Sequence, residues 1–134
     1  MADLKLEIVT PTGKVLDTEA STITAPGANG QFGVLPDHRP ALVMLGGGAI
    51  TFETKSGPGK VFIRGGVAEV RMDGVLVLAD EAIKPEAVDR GEAEAVLKAT
   101  DKAFATHDYL DDERVRRLES DRAYAESILK VAGH

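Results

Sequence analysis

The residues best suited to chemistry in this 134-residue sequence are few and scattered. No two of its three histidines, His38, His107 and His134, have the spacing that would place two metal ligands on one helix face. Asp80 and Glu81 are adjacent at the end of an apolar segment, where successive side chains of a strand point to opposite faces. They do not form the facing carboxylate pair that acid–base catalysis uses. The sequence therefore predicts no catalytic residue and no metal site.

A phosphate-binding loop is not predicted either. Gly57-Pro58-Gly59-Lys60 resembles the end of such a loop, but the motif requires glycine where this chain has Thr54 and a hydroxyl residue where it has Val61. We interpret the segment as a hairpin turn. The chain has no cysteine, which excludes disulfides, thiolate metal ligands and cysteine nucleophiles.

Charge and hydropathy exclude further classes. The net charge is −6 and no basic stripe with interleaved aromatic residues occurs, so we expect no nucleic-acid partner. No run of about 18 apolar residues is present, so we expect no direct membrane insertion. The opening residues 1–5 lack the features of a signal peptide, and we expect a cytoplasmic protein that reaches a membrane only through a partner.

The elements that would position any site change type near Lys84-Pro85. Twelve of the 14 glycines lie at or before Gly74, and valine, isoleucine and threonine dominate there, whereas alanine and charged residues dominate afterwards. We predict a β domain over residues 1–84 and a helical domain over residues 85–134.

The β domain reads as short strands separated by turns at intervals of about 8–12 residues, which is typical of a sandwich or barrel. Leu4, Leu6 and Ile8 alternate with polar neighbours, as in a strand with one buried face. Residues 75–79 are entirely apolar, which predicts a strand buried on both faces.

The helical domain reads as two antiparallel helices, one from about residue 85 to about 105 and one from near Asp108 to just before Gly133. Pro85 suits the first position of a helix. The apolar faces are thin and rich in alanine, and burying alanine contributes much less free energy than burying leucine. The sequence therefore predicts a weakly held helical hairpin that could move relative to the β domain.

One loop, residues 27–42, combines glycines, two prolines and apolar side chains. It is either a stiff recognition surface or an internal loop that folds Phe32 and Leu35 into the sandwich. The residues alone leave both interpretations open.

Three motifs resemble the epsilon subunits of F-type ATP synthases. They are residues 30–42 (GQFGVLPDHRPAL), residues 65–70 (GGVAEV) and residues 75–82 (VLVLADEA), and the opening LEIVTP at residues 6–11 also fits. Together they follow the family's order and spacing along the whole chain.

This resemblance implies a β + α fold, in which an N-terminal ten-stranded β-sandwich precedes a C-terminal antiparallel two-helix hairpin. It implies a non-catalytic rotor subunit in the central stalk of a bacterial, proton-translocating enzyme, at the cytoplasmic face of the inner membrane. The implied partners are the gamma subunit, through His38, and the c-ring loops, through Gly30, Gln31, Phe32, Gly33 and Leu42. In some relatives the hairpin extends along gamma toward the alpha and beta catalytic subunits and blocks ATP hydrolysis.

Some members of this family also bind ATP on the folded hairpin. The matching positions here are Asp89 and Arg122, but Glu92 stands where the family motif has an arginine. A carboxylate there reverses the charge that would meet phosphate, so we expect weak or absent ATP binding and no other cofactor. The competing interpretations are a generic β-sandwich adaptor with a helical tail and, more distantly, a small hydrolase or isomerase.

Overall fold

The computed structural model describes residues 3–35, 39–106 and 111–132. Within these ranges the chain forms ten strands, one 3₁₀ turn at Pro85–Ala87 and two α-helices. The strands are β1 (Leu4–Thr10), β2 (Gly13–Ala20), β3 (Thr22–Gly27), β4 (Gly30–Val34), β5 (Ala41–Leu45), β6 (Gly48–Thr54), β7 (Gly57–Ile63), β8 (Gly66–Arg71), β9 (Gly74–Ala79) and β10 (Ala82–Ile83). The helices are α1 (Arg90–Thr106) and α2 (Asp112–Ala132).

The strands form two layers of a sandwich that is hydrogen-bonded continuously from one layer to the other. Along the sheet the order is β10-β7-β6-β3-β5-β8-β9-β1-β2, and β4 pairs with β3 outside this path. Strands β3 and β5 share a single residue pair, Gly27 with Leu45, which joins the two layers. The predicted ten-stranded sandwich followed by two helices is confirmed.

Alternation along the strands places the core between the layers. Leu4, Leu6 and Ile8 of β1 are buried against inward-facing residues of the other strands, such as Val77 and Ile50. Because side chains of a strand alternate between faces, the neighbours of these core residues point to the two outer faces of the sandwich. An outer face that the chain itself covers is closed to a partner, whereas an exposed outer face can bind one.

The hairpin between β6 and β7 differs slightly from the predicted turn. The turn itself is Lys55-Ser56, and the Gly-Pro-Gly segment already belongs to β7, in register with β6. Gly59 lies opposite Phe52, and a Cβ atom at Gly59 would overlap the Phe52 ring. Glycine is used here so that an aromatic side chain can lie across the neighbouring strand.

The first helix begins later than predicted. Pro85 opens a 3₁₀ turn rather than an α-helix, and the chain is extended at Val88 (ψ 134°) before α1 starts at Arg90. Asp89 caps α1, since its Oδ1 accepts a hydrogen bond from the Glu92 amide at 3.2 Å. Asp111 caps α2 in the same way, through the Arg114 amide at 2.8 Å. Two caps thus set both helix starts, about five residues after Pro85 and four after Asp108.

Candidate docking surfaces

The outer face of strands β5, β8 and β9 exposes several apolar side chains beside the ion pair of Glu69 and Arg71. Met44 lies opposite Val67, and Val67 lies opposite Leu78, so these three side chains form one row across the strands. Leu42, two residues from Met44, is on the same face, because residues i and i+2 share a face. Leu42, Met44 and Leu78 are 74%, 63% and 51% exposed. We call the surface formed by Leu42, Met44, Val67 and Leu78 the apolar face.

The prediction that residues 75–79 are buried on both faces is wrong. Val75, Val77 and Ala79 point into the core, but Leu78 points outward into the apolar face and Leu76 is only half-buried. A wholly apolar strand indicates that both faces need cover. Here the inner cover comes from the same chain, and the described residues leave the outer side largely open. The sequence signal was correct about the apolar character and missed that the outer side stays exposed among the described residues.

The other outer face of the sandwich is covered by the chain's own hairpin. Phe62 of β7 lies in register with Ala49 of β6, and both contact a second hydrophobic cluster with Ala93, Ala125 and Ile128 of the two helices. This cluster is separate from the main core and has far fewer buried residues, among them two alanines beside Phe62 and Ile128. The hairpin therefore packs against one layer of the sandwich only and leaves the apolar face uncovered.

The residues expected to meet the c-ring divide between two strands. Gly30, Gln31, Phe32 and Gly33 are in β4, which pairs only with β3 among the described residues, and Leu42 is in β5. Gln31 and Gly33 are exposed, whereas Phe32 packs against the core. The structure thus offers the polar side chain of Gln31 and an unpaired strand edge on β4, together with the apolar side chain of Leu42 on β5.

The loop that carries these residues combines both interpretations left open by the sequence. Phe32 and Val34 face inward, Val34 being fully buried, and Leu35 is exposed. Alternation in β4 separates them, because the strand continues up to Val34. His38, expected to face gamma, lies outside the described residues.

The two candidate nucleotide-binding residues are not brought together. Asp89 caps α1 and borders a cavity of about 370 Å³ between the hairpin and the sandwich. Arg122 instead donates from Nη2 to Asp101 Oδ1 at 2.9 Å, and its guanidinium lies 4.5 Å from the centre of the Phe104 ring. Asp101 follows Asp89 by 12 positions, which is about 18 Å along a helix.

Arg122 therefore serves to fasten α2 to α1. Its ion pair is with Asp101 on the other helix. Of the residues that the structure describes, the carboxylates of Glu81, Asp89 and Glu92 and one cation, Arg64, border the cavity near Asp89. This is a poor environment for a phosphate group.

A polar cluster between the sandwich and α2 escaped the sequence analysis. Arg64, directly after β7, places Nε 3.1 Å from Glu81 Oε2 and 3.9 Å from Asp121 Oδ1 on α2. Its guanidinium carbon lies 4.9 Å from the centre of the Tyr124 ring. A charged residue between the buried Ile63 and a glycine pair was the one available signal.

Burial affects the acid–base properties of this cluster. Burial raises the pKa of the Asp121 carboxyl above its usual range; Arg64 and Arg117 act in the opposite direction, and Glu81 adds to the increase. Burial likewise raises the pKa of the Tyr124 hydroxyl. The surroundings of Asp121 therefore disfavour the charged form of its carboxyl group.

Neither described helix combines the length and apolar character needed to span a bilayer.

Sequence comparison relates the chain to proteins of known family. Residues 3–85 match the family described as "ATP synthase, Delta/Epsilon chain, beta-sandwich domain". The ATP synthase epsilon chain of Granulibacter bethesdensis is 34% identical over 132 residues, which cover 95% of this chain and 98% of that one. The epsilon chain of Pelotomaculum thermopropionicum is 39% identical over 101 residues, 75% of each chain.

Structural comparison agrees. A chain in the Euglena gracilis mitochondrial ATP synthase structure (OSCP/F1/c-ring) superposes with a TM-score of 0.73 at 26% identity, covering all of this chain and 83% of that one. A chain in the Tetrahymena thermophila mitochondrial ATP synthase structure (central stalk/c-ring) gives 0.61 at 17% identity, covering 96% and 95%, and supports the fold. The chain therefore belongs to the ATP synthase epsilon chain family and is a non-catalytic subunit of the ATP synthase complex.

Proposed function

We propose that Met44, Val67 and Leu78 of the apolar face dock the chain onto the gamma subunit of the stalk, and that Leu42 of the same face contacts the c-ring loops. The supporting observation is the asymmetry of the sandwich: one outer face is covered by the hairpin, and the other exposes Leu42, Met44 and Leu78. Large exposed apolar patches rimmed by polar residues are typical of protein–protein contacts. Burial of this face against gamma would make sandwich and gamma rotate as one body.

For the c-ring loops we propose Gly30, Gln31, Phe32 and Gly33 of β4 with Leu42 of β5, and for gamma a further contact through His38. The free edge of β4 presents backbone hydrogen-bonding groups, and the exposed Gln31 amide can both donate and accept. Phe32 supports this contact from the inside, since its ring packs on the core. With these contacts the subunit couples rotation of the c-ring to ATP synthesis through gamma.

We further propose that residues 1–84 are the docking domain and that residues 85–134 regulate ATP hydrolysis by leaving the sandwich and reaching the alpha and beta subunits. The small second cluster under the hairpin, with alanines at Ala49, Ala93 and Ala125, supports weak docking. Deleting the residues after Lys84 should then raise ATP hydrolysis by the assembled enzyme. Unchanged hydrolysis would remove the regulatory role and leave the docking role intact.

The location that follows is peripheral, at the cytoplasmic face of a bacterial inner membrane, with protons as the transported ion. Attachment would come through gamma and the c-ring.

Docking onto gamma is tested by size-exclusion chromatography of the purified chain with its cognate gamma subunit. We expect a stable complex, and we expect Met44→Ser and Leu78→Ser to weaken it at least about tenfold, because each removes an exposed apolar anchor. Met72→Ser is the matched control: Met72 is 75% exposed but lies in the β8–β9 turn, outside the apolar face. An equal loss of gamma binding with Met72→Ser would contradict the proposed surface. Full gamma binding by a chain that carries both Met44→Ser and Leu78→Ser would also contradict it.

A further inference from the structure

We propose that Arg64 is the electrostatic fastener between the sandwich and the hairpin, so that docking of the hairpin depends on one guanidinium shared by carboxylates from both domains. This inference rests on the proposed movement of the hairpin and identifies the residue that controls it. By "docked" we mean the arrangement seen here, with α2 lying against β6 and β7.

The first step is the close approach of α2 to the sandwich at two glycine segments. A Cβ atom at Gly47 would overlap the Ser120 carbonyl oxygen and stand 3.0 Å from the Tyr124 nitrogen. Gly65 lies near Ser120 as well, at 3.9 Å from its Oγ to the position of an added Cβ atom. Because Gly65 directly follows Arg64, this approach places the Arg64 side chain at the contact with α2.

The second step is the distribution of charge around Arg64. Its Nε is 3.1 Å from Glu81 Oε2 of the sandwich and 3.9 Å from Asp121 Oδ1 of α2, and its guanidinium lies over the Tyr124 ring. The side chains of Arg64 and Asp121 are 27% and 25% exposed. Water therefore screens this pair less than it screens the exposed ion pairs on the rest of the surface.

The third step is the result of losing the cation. Without Arg64, the largely buried Asp121 carboxylate would face the mostly exposed Glu81 carboxylate with no cation from the sandwich beside it. Removing one partner of a buried ion pair is far more destabilising than the pair is stabilising, because the remaining charge stays uncompensated. Arg117 also attracts Asp121, but it is exposed on the surface of α2 and moves with it. Among the described residues, Arg64 is thus the cation that links Asp121 to the sandwich.

The fastener is also easily released. Arg64 Nε is buried and forms these ion pairs without a well-aligned hydrogen bond to any described residue. An ion pair of loose geometry contributes less free energy than a bidentate one. Such a contact suits an element that has to detach without unfolding the sandwich.

The absence of cysteine in the chain permits a direct test. Two cysteines, Ser56→Cys in the β6–β7 turn and Glu126→Cys on α2, both at exposed positions, take spin labels on the full chain for a distance measurement. We expect one short distance in the parent chain. Arg64→Gln should increase the population of longer distances about tenfold, and Asp121→Asn added to Arg64→Gln should reverse most of that increase, since no unpaired charge remains.

Arg71→Gln is the matched control, because Arg71 is paired with Glu69 of the same strand, at an exposed position of the sandwich. A change with Arg71→Gln equal to that with Arg64→Gln, or identical distances in all variants, would overturn the fastener. If Arg64→Gln does not fold, Asp121→Lys, which places a cation against Arg64, should displace the hairpin; a docked hairpin there would also overturn it. Gamma binding measured on the same proteins reports on the docking surface separately, so the two proposals can fail independently.

Discussion

At the scale of single residues, Gly47 sets how closely the hairpin approaches the sandwich. A Cβ atom there would stand 2.7 Å from the carbonyl carbon of Ser120, against backbone that cannot rotate away. We expect Gly47→Ala to weaken docking of α2 by about 1–3 kcal/mol, the usual cost of overpacking. The spin-label distance defined above measures the undocked population, and near-unchanged circular dichroism would show that the sandwich stays folded.

The adjacent Gly46 provides the control for this prediction. A Cβ atom at Gly46 would have its nearest neighbour at 3.6 Å, an ordinary van der Waals distance. Gly46→Ala should therefore leave the hairpin docked. If both variants displaced the hairpin equally, the effect would come from backbone flexibility of the glycine run and not from the contact with Ser120.

Asp89 is a residue for which family resemblance and local geometry give different roles. Its carboxylate caps α1, so Asp89→Ala should destabilise the helix by about 0.5–2 kcal/mol while Asp89→Asn, which still caps, should cost much less. Thermal unfolding followed at 222 nm measures the difference. Equal destabilisation by both variants would show that the negative charge, and not the cap, is what the helix needs.

At the scale of elements, the sequence predicted which segments are strands and helices well, but it predicted poorly what packs against each of them. Period-2 alternation identified β1, and the loss of glycine near Lys84 identified the change from strands to helices. Strand β9 was misjudged because an apolar run shows that both faces avoid water without showing whether the cover lies in the same chain. The cluster around Arg64 was missed because Glu81 and Asp121 are 17 and 57 positions away in sequence.

The contact between α2 and the sandwich should depend on pH through Asp121. Burial on docking raises the pKa of this carboxyl from its ordinary 3.8, and Arg64 offsets only part of that increase, so the docked hairpin favours the protonated form. Its contribution to docking is therefore fully present below pH 3.8 and is lost as pH rises through the raised value. Arg64, Glu81, Arg117 and Tyr124 are the charged or titratable groups around it.

We expect Asp121→Asn to flatten this dependence, because the asparagine side chain does not titrate. The docked fraction, read from the label distance between pH 3.5 and pH 7, should fall less in Asp121→Asn than in the parent chain. Since other carboxyl groups titrate in the same window, only the difference between the two proteins is diagnostic. Identical pH profiles would show that Asp121 has the same pKa in the docked and released hairpin.

At the scale of the whole molecule, charge decides whether the hairpin can hold a nucleotide. The chain carries a net charge of −6, and the cavity between hairpin and sandwich is bordered by Glu81, Asp89 and Glu92. Arg64, the one cation that borders it among the described residues, is already shared between Glu81 and Asp121. Arg122, the other candidate ligand, is held by Asp101 and Phe104 about 18 Å along α1 from Asp89.

Millimolar ATP should therefore leave the thermal unfolding midpoint of the isolated chain unchanged. A ligand that binds only the folded state at 100 times its dissociation constant stabilises by about 2.7 kcal/mol, which would be readily measured as a higher midpoint. Glu92→Arg is the informative variant, because it removes one carboxylate from the cavity and adds a cation that can pair with phosphate. A clear ATP-dependent increase in the parent chain would contradict the prediction. An increase confined to Glu92→Arg would assign the loss of binding to that one charge, whereas no increase in either protein would mean that the distance between Asp89 and Arg122 also prevents it.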